Sequence, residues 1–356
     1  MARVRPGIGS GSPGVRAAAR QRRPEALPER IPSRGGLPRE QVLEIQRSRL
    51  LAGALAAVQE EGYAGVMVAH ITRRAKVSRR TFYELFENRE ACLAALVQDI
   101  LAAIEAELAH ADLEGVGWRE RLRGGLWVIL CFCEREPALA GMLLVQAARG
   151  GPQVQQLREQ AFARLASVID EGRRRGSRQA DCTPLTAEGL VGAAYGILYT
   201  RLAQHRQDGL AGLLGELMGM IVLPYQGPAA ARAERTRGLP RTLVSQAAAA
   251  SSALALADRD PLQGLPMRVT YRTARVLECV EGQSGASNRD IADAAGIRDP
   301  GQSSKLLARL ERLGLLENTG EGAHTKGEAN AWQLTPLGWQ VAQRLRVSPS
   351  YYSEAA

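Results

Sequence analysis

Residues 67–89 hold six basic and two acidic side chains, a local charge of +4 in 23 positions. Arg79, Arg80, Thr81 and Tyr83 follow directly on Ser78. A guanidinium pairs bidentately with the O6 and N7 edge of guanine, and clustered basic groups attract the phosphate backbone. A serine at the head of a helical pattern accepts a hydrogen bond from an orphan backbone N–H. The chemistry suited to this spacing is recognition of nucleic acid by the first turn of a short helix.

Such side chains need elements that hold them. Two short helices fit, over about 68–75 and 79–86, with Lys76-Val77-Ser78 as a three-residue turn. Val68, Ile71 and Ala75 face inward on the first, and Val77, Phe82 and Phe86 from the turn and the second. Arg79, Arg80, Thr81 and Tyr83 then face outward, while Arg73, Arg74, Lys76 and Arg89 are placed for phosphates. Ahead of this pair, Val42, Ile45, Leu51, Leu55 and Val58 form one apolar stripe, and Gly62 is a helix stop. Behind it, Asn88 caps a long helix with the stripe Leu93, Leu96, Val97, Ile100, Leu101, Ile104, Leu108.

The segment resembles the TetR repressor family. The carrying residues are Ile71, Ala75, Val77, Ser78, Thr81, Tyr83, Phe86 and Glu90, with Arg89 in place of a lysine. Four positions depart from the pattern. Met67 stands where a capping threonine is usual, Thr72 for a small alanine, and Lys76 and Arg80 for glycines. A lysine at 76 is costly where the backbone is left-handed. The resemblance implies Arg73, Ser78, Arg79, Arg80, Thr81, Tyr83 and Arg89 as DNA-binding residues. It also implies a ligand-binding helical domain directly behind, a homodimer and a palindromic operator.

Residues 90–223 fit that second role. Their net charge is −3, and helical patterns run at about 118–134, 137–148, 153–173, 186–206 and 209–223. Pro137, Pro152 and Pro184 stand at helix starts, where proline is tolerated. By resemblance this bundle encloses a small-molecule effector. Trp127, Cys131, Met142, Phe162, Tyr195 and Tyr199 are the candidate pocket residues, though each reads more readily as plain core. The helices near 186–223 are the expected dimer pair, with Gly192, Gly196, Gly212, Gly215 and Gly219 permitting close approach.

Breakers recur through 224–266, at Pro224, Gly227, Pro228, Gly238 and Pro240, so this stretch is expected as a linker. Residues 267–346 then read helix, helix, helix, ribbon, helix. Through Ser287–Gly296, Ser303–Glu317 and Leu334–Gly338 they resemble the MarR-type winged helix. The resemblance implies a second DNA contact through Gln302, Ser303, Ser304 and Lys305, with Lys326 or His324 on a wing. A charge of only +2 there leaves a protein-contact role open.

The fold class expected is mainly α: a TetR-like bundle with an N-terminal helix-turn-helix (39–89), a middle domain (90–223) and a small C-terminal winged helix with a β-ribbon wing. Residues 1–38, rich in Arg, Pro and Gly, are expected to be disordered, and 347–356 are a short tail. Of the total charge of +9, residues 1–39 carry +7, so the overall basicity is mostly a tail property. Five scattered cysteines and four dispersed histidines match no disulfide framework or metal spacing, and no phosphate loop or nucleophile elbow occurs. No metal, cofactor or enzyme activity is expected. With no run of about 18 apolar residues, a cytoplasmic, membrane-free protein is expected. The function these features point to is a sequence-specific, ligand-responsive transcription regulator, a repressor acting on double-stranded DNA as a homodimer. The alternative is a ligand-independent regulator whose middle domain only dimerises and whose winged helix contacts protein.

Overall fold

The computed structural model describes residues 39–111, 113, 115–175, 182–206, 209–238, 270–320 and 329–346. The two expected tails, the linker beyond 238, and His324 and Lys326 of the expected wing lie outside the described residues.

Chain order begins with α1 (Arg39–Gly65), α2 (Val68–Ala75), α3 (Arg79–Leu85) and the long α4 (Arg89–His110). Gly62 bends α1 near its end at φ 69°, a left-handed conformation cheap only for glycine. The Asn88 side chain accepts from the Ala91 N–H at 2.9 Å and caps α4. The middle bundle follows: α5 (Trp118–Arg135), the short α6 (Pro137–Gly141) running on through one wider turn (Met142–Gln146) and one tighter turn (Ala147–Arg149), α7 (Pro152–Arg175), α8 (Pro184–Ala203) and α9 (Leu214–Thr236). One apolar core runs from Leu50 and Leu51 of α1 through the first four helices to Tyr225 of α9.

The expected linker start at 224 is corrected by the structure. Helix α9 continues to Thr236, bending at Gly227 with φ 80°. Pro228 opens the second arm, where its missing N–H has no intrahelical partner to lose. That arm folds back along the first. A Cβ at Gly215 would lie 2.8 Å from the Arg235 carbonyl oxygen, and one at Gly219 would lie 3.3 Å from that of Ala231. These two glycines therefore serve a contact within the chain. Glu234 pins the arm to α5, its carboxylate 3.1 Å from Arg123 Nε with both side chains 2% exposed. Breaker residues suggested a linker because the long-range ion pair that holds the returning arm leaves no local pattern.

The C-terminal unit comprises α10 (Tyr271–Gly282), α11 (Asn288–Ala294), α12 (Pro300–Arg312), β1 (Leu316–Asn318), β2 (Trp332–Leu334) and α13 (Pro336–Arg346). The strands pair antiparallel, with Leu316 opposite Leu334 and Asn318 opposite Trp332. Ser287 caps α11 reciprocally with Asp290, and the Asp299 carboxylate caps α12 just ahead of Pro300.

This unit's core includes two residues from the other end of the chain. Val42 and Ile45 of α1, 2% and 1% exposed, pack with Val276, Leu277, Leu307 and Val341. Gln41 adds a bond from its Nε2 to the Leu345 carbonyl at 3.0 Å. The apolar stripe on α1 is thus divided: its first two turns serve the C-terminal core, and its later turns serve the N-terminal core. Ile45→Ala should cost about 2–5 kcal/mol by removing buried methylenes from this joint. Hydrogen exchange will show the loss as lower protection in α10 and α13, with α2 and α3 little changed. Equal deprotection of both regions would contradict the division.

Candidate nucleic-acid interface and interior cavity

Helices α2 and α3 meet across a tight turn. Ile71, Ala75, Val77, Phe82 and Phe86 are buried beneath them, so the apolar half of the motif is consumed in folding. Ser78 caps α3: its Oγ accepts from the Thr81 N–H at 3.0 Å and lies 2.9 Å from the Thr81 hydroxyl. Ser78 and Thr81 are therefore committed to the start of the helix, which they hold in place for its neighbours. Lys76 has φ 54° and ψ 33°, so the expected cost at this position is present. Met67 sits at the start of α2 with no side-chain cap, and Thr72 turns its hydroxyl back to the Val68 carbonyl at 2.9 Å.

The outward side chains separate into two groups. Arg73, Lys76 and Arg79 are exposed and form no ion pair among the described residues, and Tyr83 is 59% exposed with its ring edge-on to Phe82. Arg80 is exposed and paired with Glu84 one turn on, a solvent-screened contact that leaves the arginine free to move. Arg74, expected on phosphates, instead turns toward α1 and pairs with Glu60.

Arg89 also departs from its expected place on a phosphate. Its Nη1 donates to the carbonyls of Val66 at 2.9 Å and Ala64 at 3.2 Å, and its Nη2 contacts Glu90. Glu90 in turn accepts from the Tyr63 hydroxyl at 2.8 Å. Burial pushes the Glu90 carboxyl up, but the bonds from Tyr63 and Arg89 outweigh it and hold the group below the usual carboxylate range. This cluster ties the end of α1 to the start of α4. Tyr63 was not singled out in the sequence, because one aromatic residue after a helix bend has no periodic signature.

In the C-terminal unit Gln302, Ser304 and Lys305 are exposed at the start of α12, but Ser303 is 2% exposed. Its hydroxyl is buried in the unit with no hydrogen-bond partner among the described residues, so Ser303 is removed from the expected contact set. Helical periodicity requires it: Ser303, Leu307 and Leu310 share the inward face.

The middle bundle contains a cavity of about 450 Å³. Its wall is formed by Leu108 and Ala109 of α4, Leu113, Arg121, Leu122, Gly125, Leu126 and Ile129 of α5, Leu165, Val168 and Ile169 of α7, and Ile221 of α9. None of the six residues expected to line a pocket is among them. Trp127 and Met142 are buried in the core. Phe162, Tyr195 and Tyr199 form an aromatic cluster, with ring centroids 5.2 and 5.9 Å apart and the Arg158 guanidinium against the first two rings. Tyr195 donates to the Leu144 carbonyl at 2.9 Å, so the cluster binds α7 and α8 to the turns after α6. Burial pushes the Cys131 thiol up to about 11 and Cys133 to about 12, which leaves little thiolate at neutral pH. Aliphatic helix positions signal core and cavity wall alike; only Arg121 and Gly125, one turn apart on this apolar face, hinted at something else.

On the outer face of α8, Leu185 is 70% exposed, and Gly189, Gly192 and Gly196 follow it with open space where a Cβ would stand. A groove of about 530 Å³ adjoins this face between α7 and α8, lined in part by Phe162, Val191 and Gly192.

The helix-turn-helix geometry agrees with a match to known proteins: residues 50–96 fit the family described as bacterial regulatory proteins, tetR family. The chain carries a tetR-type DNA-binding domain at its N-terminal end. The match spans the end of the first helix, all of α2 and α3, and the start of α4. No curated protein matches the chain. Similar solved structures include the fatty acid degradation regulator FadR of Bacillus halodurans, at 16% identity and TM-score 0.45, covering 49% of this chain and 94% of that one. FadR of Bacillus subtilis, solved with stearoyl-CoA, is 17% identical at TM-score 0.44, covering 49% and 97%. SmeT, repressor of the Stenotrophomonas maltophilia efflux pump SmeDEF, is 19% identical at TM-score 0.45, covering 55% and 100%.

The left-handed Lys76 makes the tetR-type turn improvable. Lys76→Gly relieves roughly 1–2 kcal/mol of backbone strain and loses about 0.5–1 kcal/mol to the freer unfolded chain. Urea unfolding should show a net gain of about 0.5–1 kcal/mol. A loss of stability on this substitution would show that Lys76 makes a compensating contact.

Proposed function

We propose that the chain is a sequence-specific transcription regulator, a repressor that binds a palindromic operator as a homodimer and is released by a small-molecule effector. The observation that carries this reading is the capped start of α3. There Arg79, Arg80 and Tyr83 stand exposed over a fully buried base, with Arg73 and Lys76 beside them. Arg79 and Arg80 meet base edges, Tyr83 packs on the backbone, and Arg73 and Lys76 supply the salt-sensitive attraction. Arg89 acts as a positioning residue, holding the head on α4.

Helix α4 is the link to the effector. Its 22 residues span about 33 Å at the standard rise per residue. Arg89 and Glu90 at one end grip α1, Asp99 in the middle pairs with Arg47 at 3.0 Å, and Leu108 and Ala109 at the other end line the cavity. A ligand with higher affinity for a shifted α4 favours the conformer that carries it. In the dimer, that shift moves two heads away from half-sites about 34–36 Å apart. The cavity, apolar inside and open past the exposed Leu165, favours this reading over a ligand-independent one, since a bundle that only dimerises gains nothing from an apolar opening its own side chains leave unfilled.

The second copy packs on α8, where the open glycines admit close approach and Leu185 gains burial. Gly192→Arg should convert the dimer to a monomer in sedimentation and abolish protection of a two-fold symmetric site. A dimer that persists would move the interface elsewhere.

Footprinting on operator DNA tests the reading head. Arg79→Ala should weaken binding by about 1–3 kcal/mol and relax specificity at one base position. Unchanged binding by Arg79→Ala combined with Tyr83→Ala would remove α3 from the interface.

For the C-terminal unit, α12 offers Gln302, Ser304 and Lys305 to DNA flanking the operator. The exposed Leu337 and Trp339 on α13 favour a second reading, a protein-contact module. Gln302→Ala with Lys305→Ala should shorten the footprint at its edges under the first reading. An unaltered footprint, with partner binding lost on Trp339→Ala, supports the second.

A further inference from the structure

We infer that the middle-domain cavity takes an uncharged lipophile carrying one hydrogen-bond acceptor. The inference rests on the effector-responsive reading above and specifies its ligand. The cavity, about 450 Å³, falls within the range of small-molecule sites. Its wall is aliphatic from four sides, with Arg121 the one charged residue among the described residues that line it.

The state of that arginine selects the ligand. One arm of the guanidinium, Nη2, is held by Glu171 of α7, so the positive charge is already compensated. The Nε–H is buried and has no acceptor among the described residues. A buried donor left unpaired is unfavourable, and a ligand oxygen satisfies it. A carboxylate would bring a second negative charge beside Glu171 at the polar edge of the cavity, where the Arg121 and Glu171 side chains are only 30% and 25% exposed and solvent screens the repulsion incompletely. An ammonium would face a donor. A ketone, ester or similar oxygen supplies the acceptor with neither penalty, and the aliphatic remainder fills the space between Gly125, Val168 and Ile221.

The glycine gives the means to close the site. A Cβ at Gly125 would meet only Leu108, at 3.7 Å, an ordinary contact, so a larger side chain there is accepted at the backbone and extends into the cavity.

The test uses the full-length chain and four probes of one length: 2-undecanone, undecane, undecanoate and undecylamine. Binding is followed by thermal shift and by tryptophan fluorescence, since the Trp118 indole donates to the carbonyl of Val168 in the cavity wall at 3.0 Å. The expected result is binding of 2-undecanone about tenfold tighter than undecane, as one hydrogen bond allows, with the two charged probes weakest. Gly125→Leu, checked for folding by circular dichroism, should abolish binding of all four. Arg121→Met should bind ketone and alkane equally. Undecanoate as the tightest probe, equal binding of ketone and alkane by the unaltered protein, or ketone binding that survives Gly125→Leu would each overturn the proposal. DNA binding by the ligand-free protein is measured alongside. Ketone failure with an intact footprint rejects this ligand class alone, whereas ketone binding without any footprint rejects the regulator reading.

Discussion

The bidentate ion pair between Arg47 of α1 and Asp99 of α4, both bonds 3.0 Å, is the contact about which the molecule is arranged. Asp99 is nearly buried, with its side chain 4% exposed, so its charge must be met by a partner of fixed geometry. The pair sits on α1 between Val42 and Ile45, which belong to the C-terminal core, and Leu50 and Leu51, which belong to the N-terminal one. Helix α1 is therefore a common member of two cores, and the pair fixes it against the helix that reaches the cavity. The two parallel bonds hold α1 and α4 in one relative orientation more firmly than a shared apolar contact, which can slide.

The same logic explains the economy of charge at the helix-turn-helix. Arg74 and Arg89 are spent on holding α2 and α4 to α1, while Arg73, Lys76 and Arg79 remain available. A cluster of +4 is thus two populations, one structural and one accessible, distinguished only by what lies within reach of each side chain.

Much of the reading head was legible in the chain. Ser78 as cap and Val77 and Phe82 as inward residues follow from capping chemistry and helical periodicity, whereas the left-handed backbone at Lys76 was suggested only by the glycine that the resembling family carries there. Those two local rules concern groups a few residues apart. The inward turn of Ser303 was equally available from periodicity, and the resemblance to a recognition helix concealed it. The pocket was not legible, because Leu108, Ile129, Val168 and Ile221 look identical in sequence whether they touch one another or surround a space. The aromatic residues that seemed better suited to a ligand were drawn into packing by Arg158 and by the Leu144 carbonyl.

Most of the helices, the caps at Ser78, Asn88 and Asp299, the short ribbon and the chemistry of α3 follow from neighbours within about one helical turn or one hairpin; the returning arm of α9 does not. Packing across the fold is what returns Glu234 to Arg123, lets Val42 and Ile45 complete a core more than two hundred residues away, and leaves Arg121 lining a cavity with its Nε–H unpaired among the described residues. Those outcomes depend on which apolar faces and charges meet once the helices pack. A one-dimensional pattern specifies that a face is apolar or a group charged, and the three-dimensional packing selects its partner.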